Sequence, residues 1–264
     1  MQIDLTNKRA VVSGSTLGIG FAIARGLAQS GARVVLNGRT EQSVKKAKDR
    51  LLAEVPGAQI ETVAADLSTA KGVEALLRAV PESDILVNNV GIFEPKPFEE
   101  IADGDWLRFF ETNVMSGIRL SRAYVPGMRK KDWGRIVFIS SESAINIPVD
   151  MIHYGMTKTA QLAVSRGLAE SLSGTGVTVN AVLPGPTNSD GVSDLLDTLA
   201  KQRGVPKAQL EKEFVPTFRP SSIIQRVASV EEVANMVVYV CSPQASATTG
   251  ASLRVDGGVV SSII

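Results

Sequence analysis

Tyr154 and Lys158 stand four residues apart in the stretch ISSESAINIPVDMIHYGMTK, residues 139–158. On a helix that spacing stacks both side chains on one face. A cation beside a phenol favours the phenolate, so the pair predicts a Tyr154 pKa below the ordinary value of about 10. A phenol tuned in this way gives and takes a proton near neutral pH. Ser141 lies thirteen residues before Tyr154, at the end of the apolar run RIVFI of residues 135–139. A hydroxyl there can reach a substrate oxygen beside the phenol. Together the three form a candidate site for moving a proton on and off a carbonyl or alcohol oxygen. The plainer alternative for a Tyr-x-x-x-Lys pair is an exposed helix pair. Of Tyr124, Tyr154 and Tyr239, only Tyr154 has Lys at the fourth position.

Composition narrows the chemistry. The 264 residues are 44% apolar, ample for a core, and can hold one large α/β domain or two small ones. Lys plus Arg number 28 against 27 for Asp plus Glu, so no basic excess points to nucleic acid or an anionic membrane. The single cysteine, Cys241, excludes an intramolecular disulfide and a cysteine metal cluster. It sits in an apolar run and reads as a small core residue. One histidine, His153, leaves neither a histidine metal site nor a Ser-His-Asp triad. The start, MQIDLTNKRA, has no apolar signal core, and no apolar run reaches membrane-spanning length. A soluble, cytoplasmic protein without a metal is expected.

The elements that position the chemistry follow in order. The apolar run 9–13 leads into Gly14-Ser15-Thr16-Leu17-Gly18-Ile19-Gly20 and then a helical pattern over 21–28. A glycine turn between strand and helix allows close backbone approach and offers the helix's free amides to a phosphate. The second strand, 32–36, ends in Asn37-Gly38-Arg39. In dinucleotide folds an acid at this strand end binds the adenosine 2′-hydroxyl, and a nearby Arg accommodates a 2′-phosphate. Asn37 stands where the acid would be, and Arg39 lies beyond it. The alternative for Arg39 is a solvated loop cation.

A helix is expected over 41–54, a strand over 59–65, a helix over 71–80 and a strand over 84–87. Asn88-Asn89-Val90-Gly91 then either holds a ligand edge or stabilises its own turn. A long amphipathic helix over 103–130 contains Asn113, a poor helix former that needs a local reason. A strand over 134–140, the Tyr154 helix from about 150 to 172, a strand over 177–183, a helix over 231–241 and a last strand over 252–255 complete the alternation. Residues 190–225 are polar and proline-bearing and follow a strand end, where a substrate lid would sit. The alternation predicts one α/β domain over 1–264, a doubly wound parallel sheet of seven strands with helices on both faces.

These motifs together resemble the short-chain dehydrogenase/reductase family along essentially the whole chain. Ser13-Gly14-x3-Gly18-Ile19-Gly20 is similar to its T-G-x3-G-I-G, and Asn88-Asn89-Val90-Gly91 to its N-N-A-G. Asn113, Ser141, Tyr154 and Lys158 match its catalytic set, and Pro184-Gly185 and Val255-Asp256-Gly257-Gly258 match further positions. The resemblance implies hydride transfer with NADPH/NADP+, NADH being less favoured, on a small carbonyl or alcohol substrate. It implies that Tyr154 carries the proton and that Lys158 lowers the Tyr154 pKa and meets the nicotinamide ribose. Ser141 would orient the substrate oxygen, and Asn113 would hold a water that relays protons to Lys158.

By the same resemblance, Gly14 to Gly20 would cradle the pyrophosphate. Asp66 and Leu67 would meet the adenine, Asn89 to Gly91 the adenosine side, and Thr187 the carboxamide beyond Pro184 and Gly185. It further implies a homotetramer or homodimer, formed through the helices of 103–130 and 150–172 and an apolar tail ending at Ile264. Within the family, 3-oxoacyl thioester reduction is a common association, and the basic run Arg129-Lys130-Lys131 would suit a carrier-protein partner if it lay at the cleft mouth. A dinucleotide-binding regulator without turnover is the alternative from another class, and its mark would be a broken catalytic set. Glu142, directly after Ser141, faces either substrate or solvent. His153 points about 100° away from Tyr154.

Overall fold

The computed structural model describes residues 2–263, so Met1 and Ile264, the end of the expected apolar tail, lie outside the described residues. Strand β1 is Arg9–Val12, followed by helix α1 over Gly18–Gln29, β2 over Arg33–Gly38, α2 over Glu41–Glu54 and β3 over Ile60–Ala64. Helix α3 covers Ala70–Ala79, β4 Ile85–Asn88, α4 Asp103–Phe110 and α5 Ser116–Lys130. Strand β5 is Gly134–Ile139, α6 Ile152–Ser171, β6 Val177–Pro184, α7 Asp190–Arg203, α8 Lys207–Phe218, α9 Val230–Cys241 and β7 Ser252–Val255.

The seven strands form one sheet in the order β3-β2-β1-β4-β5-β6-β7, every pair parallel. A parallel sheet needs both faces covered, and the strand residues divide by parity to do so. Ala10, Val12, Val34, Leu36, Val87 and Ile139 pack with α1, α2 and α9. Their neighbours Val11, Val35, Leu86, Ile136, Phe138 and Val179 pack with α3, α5 and α6. Helix starts are fixed by side-chain caps: Thr40 and Ser229 each complete a capping box, for α2 and α9.

Two expectations are corrected, and one segment gains its elements. Strand β2 continues two residues past Leu36, because Asn37 pairs with Val63 and Gly38 with Ala64. The long helix of 103–130 is interrupted by a wide π turn over Glu111–Met115, which gives Asn113 its local reason. The segment 190–225 is two helices, α7 and α8, followed by a loop.

Val259 and Val260 are buried within the single chain, whereas Ile263 is fully exposed. Among the described residues no helix is long and apolar enough to cross a membrane.

Candidate active site

The chemistry-bearing residues gather at the carboxyl ends of β1, β4, β5 and β6, the edge where open α/β sheets bind ligands. Ser141 follows β5 and starts a short 3-10 turn, its hydroxyl accepting the Ser143 amide at 3.1 Å. Helix α6 is tied to this strand end. The Ser140 hydroxyl donates to the Lys158 carbonyl at 2.9 Å, and the Lys158 amine donates to the Ile139 carbonyl at 2.9 Å. Asn113 braces the facing loop: its Oδ1 accepts the Ile92 amide at 2.8 Å, and its Nδ2 donates to the Ile92 carbonyl and the Thr157 hydroxyl, both at 3.0 Å. The Asn113 carbonyl accepts Gln161 Nε2 at 2.6 Å. Gly91 runs so close to Lys158 that a Cβ there would stand 3.3 Å from the amine.

The expected electrostatics of the pair are overturned. Tyr154 is pushed up to about 12, first by burial, with a Ser141 hydrogen bond acting the other way. Lys158 is pulled down to about 7 by burial. Its amine points at a backbone carbonyl and lies 5.5 Å from the Tyr154 ring centre, so desolvation outweighs attraction between the two. In the protein alone Tyr154 keeps its proton and is an acid at neutral pH.

The glycine turn leaves β1 with Gly14 at φ 60° and Gly18 at φ 57°, conformations that cost a side-chain-bearing residue energy. Helix α1 has no side-chain cap and no acid in its first turn, so its amides face outward as donors. One of them, Gly18 N, donates to Asp190 Oδ2 at the start of α7, at 2.7 Å. The Ser13 hydroxyl clamps the turn by accepting the Asn89 and Val90 amides, and Asn89 Nδ2 donates to the Ser13 and Gly14 carbonyls. The Asn88–Gly91 loop therefore stabilises its own turn and also reaches the site.

A cleft of about 670 Å³ joins these parts, and Leu17, Gly18, Ile19 and Gly20 line it together with Arg39, Asn89 and Gly91. Ser141, Tyr154, Lys158, Pro184, Gly185 and Thr187 line it as well. Arg39 is exposed, with no carboxylate partner among the described residues.

Other expected contacts are not brought to the cleft. The Ser15 side chain is wholly buried, donating to the Val12 carbonyl and accepting the Asn37 amide. Leu67 belongs to the core, and Asp66 accepts from Ser68 beside the end of β3. Gly14, Thr16 and Val90 are not among the residues that line the cleft. Asn37 is 1% exposed and is not a ribose ligand: its Oδ1 accepts the Gly14 amide, and its Nδ2 donates to the Val63 and Ala65 carbonyls.

Several lining residues carry no mark in the sequence. Phe93 meets the Tyr154 ring edge-on at 6.2 Å, and a Cβ on Gly191 of α7 would stand 3.3 Å from Phe93. Glu142 is buried and pairs with Arg219, the residue that ends α8. Adjacency to Ser141 could have flagged Glu142; nothing local flags a partner 77 residues away. His153 is buried between Trp106 and Phe109, and burial lowers its pKa, so it packs rather than reacts. The run 129–131 sits at the opposite edge of the sheet, before β5, where Lys131 pairs with Glu82 and Asp84 ahead of β4.

A family model described as enoyl-(acyl carrier protein) reductase matches residues 14–260. The chain is 48% identical, over the full length of both, to the uncharacterized oxidoreductase YvaG of Bacillus subtilis. It is 34% identical to the 3-oxoacyl-[acyl-carrier-protein] reductase FabG of Aquifex aeolicus, covering 98% of this chain and 100% of the relative. Among solved structures, L-sorbose reductase from Gluconobacter frateurii, complexed with NADPH and L-sorbose, superposes with a TM-score of 0.94 at 32% identity over 100% of both chains.

Proposed function

The chain belongs to the short-chain dehydrogenase/reductase family, and from that premise we propose that it is a reductase moving hydride between NADPH and a small carbonyl or secondary alcohol substrate. The observation that carries this reading is the convergence of Ser141, Tyr154 and Lys158 on one cleft with the start of α1, which Leu17 does not cap, and with Arg39, which has no carboxylate partner among the described residues.

The residues present fit the dinucleotide. The α1 amides suit a pyrophosphate, and Arg39 at the rim suits a 2′-phosphate. The cofactor, when bound, supplies or accepts the hydride. Ser141 donates to the substrate oxygen and holds it beside the phenol. Tyr154, which keeps its proton, gives it to that oxygen as charge develops there. Lys158, in its protonated form, stabilises the phenolate left behind. Asn113 positions the loop under Lys158, and the lid excludes water over Ser141. Tyr154→Phe is expected to lower turnover by roughly 10²- to 10⁴-fold while NADPH still binds. Retention of a tenth of wild-type turnover would remove Tyr154 from this role.

A 3-oxoacyl thioester substrate is the second reading, supported by the relatives named for that reaction. The basic run 129–131 lends it no support, lying at the far edge of the sheet, while Asp150, Asp190 and Asp194 line the cleft. The protein is proposed to be cytoplasmic and to act as a homodimer or homotetramer. Leu107 on α4 is 66% exposed and would be covered in such an assembly. Light scattering at micromolar concentration checks this, and a monomeric mass would refute it.

A further inference from the structure

Glu142 stands one peptide bond from Ser141, and both line the cleft that holds Tyr154. Its carboxylate is buried. Oε1 accepts Arg219 Nε at 2.7 Å and the Ser143 hydroxyl at 3.1 Å, while Oε2 is buried with no partner. Arg219 comes from the lid. Its Nη1 donates to the Phe218 carbonyl at 2.7 Å, and its Nη2 makes no hydrogen bond among the described residues. The pair thus has zero net charge, one uncommitted acceptor and one uncommitted donor, beside the hydroxyl that orients the reacting oxygen.

A buried ion pair is often no more stabilising than apolar side chains of the same size. A carboxylate oxygen left unpaired inside the protein is a further cost. Stability therefore gives little account of this pair, whereas recognition of a substrate group does. We propose that Glu142 and Arg219 are the specificity-determining residues of the site, and that they select a neutral substrate with a hydroxyl on the carbon next to the carbonyl or carbinol. This inference rests on the reductase reading above.

A hydroxyl donates once and accepts readily, so it satisfies Oε2 and Nη2 together. An alkyl group would leave both unpaired, and a site built to bond a hydroxyl discriminates strongly against an analogue lacking it. A substrate carboxylate could meet Arg219 only by lying against the Glu142 oxygen. Arg219 rides on the lid, so a substrate entering with the lid raised meets Glu142 first and Arg219 as the lid closes.

Three ketones with one carbon skeleton test the proposal: 1-hydroxybutan-2-one, butan-2-one and 2-oxobutanoate, each with NADPH. Wild-type kcat/KM is expected to favour the hydroxyketone by about 10- to 100-fold over either of the others. Glu142→Leu is expected to erase that preference through a raised KM for the hydroxyketone, bringing its kcat/KM down to the level of butan-2-one. Glu142→Gln removes the charge that opposes a carboxylate, so 2-oxobutanoate is expected to gain about tenfold relative to the hydroxyketone. A gain of this kind does not arise from misfolding, and NADPH binding by fluorescence confirms that each variant is folded. Turnover of the three ketones without discrimination, an equal loss on all three in Glu142→Leu, or no gain in Glu142→Gln overturns the pair's role and leaves the reductase reading standing. Tight NADPH binding with no turnover of any ketone or alcohol on a wide panel defeats the reductase reading and this inference with it.

Discussion

Lys158→Met is expected to make the protein more stable and inactive. Lys158 is 4% exposed, and the one hydrogen bond its amine makes among the described residues runs to the Ile139 carbonyl. Burial moves its pKa from an ordinary 10.5 to about 7. At about 1.4 kcal/mol per pH unit, that gap sets roughly 5 kcal/mol against folding whenever Lys158 is protonated. At pH 7 the folded amine is about half neutral, and most of the cost remains. Losing the bond to Ile139 costs the variant about 1–3 kcal/mol, so a net gain of roughly 2–4 kcal/mol is expected at pH 7.

The sign with pH is definite. Between about 7 and 10.5 the unfolded lysine holds a proton that the folded one lacks, so wild-type stability rises with pH across that window and is flat below it. The methionine variant lacks this slope. The gap between the two proteins should therefore close by up to about 1.4 kcal/mol per pH unit from pH 7 to 9. Urea unfolding of both at pH 6, 7, 8 and 9, at one protein concentration, measures it. A variant less stable than wild type, or a gap that does not change with pH, would refute the claim that Lys158 is held against its own desolvation.

Two further substitutions separate cofactor reading from scaffolding. Arg39→Ala should weaken NADPH binding about tenfold and leave NADH binding unchanged, the lower end of the range for a charged hydrogen bond at an exposed site. Paired dissociation constants at one salt concentration check it, and equal losses would make Arg39 a loop support. Asn37→Asp should cost roughly 2–4 kcal/mol of stability, because a buried carboxylate would face the Val63 and Ala65 carbonyls in place of two donors. A folded, unweakened variant with improved NADH binding would return Asn37 to the ribose.

The contrast between Asn37 and Arg39 shows where sequence reasoning reached its limit. Apolar periodicity gave the strands, since each buried strand is a short apolar run, and β7 was legible to the residue. It ended β2 early, because Asn-Gly-Arg reads as a turn. Parallel pairing with β3 carries the strand through Asn37 and turns its side chain inward. Tyr154, Lys158 and Ser141 were legible because their spacing on one helix and one strand end is local. The Tyr154 proton affinity was not, since it depends on burial that only the assembled fold creates. Glu142 and Arg219 are joined by the return of the chain at the end of α8, and no local pattern encodes that return. Helices α7 and α8 are hidden in the sequence because the prolines and polar residues of 190–225 resemble loop composition.

Helix α6 shows how the fold holds the groups proposed to react. The buried face of a helix docked on a sheet is ordinarily apolar. Here His153, Thr157, Lys158, Gln161 and Ser165 are all buried, four of them at successive four-residue steps. Apolar packing tolerates small slips and rotations, because one methyl contact substitutes for another. Hydrogen bonds do not, because each fixes a donor, an acceptor and an angle. Thr157 is bonded to the Asn113 side chain and to the Tyr154 carbonyl, and Gln161 to the Asn113 carbonyl. These bonds set the rotation of α6 against the π turn, with Tyr154 and Lys158 one turn apart on the helix so held. The wide turn at Glu111–Met115 is what puts the Asn113 carbonyl and side chain within reach of both. Precision at Tyr154 therefore comes from a polar stripe that adds little to stability, which is why hydrophobic patterning finds this helix but not its purpose.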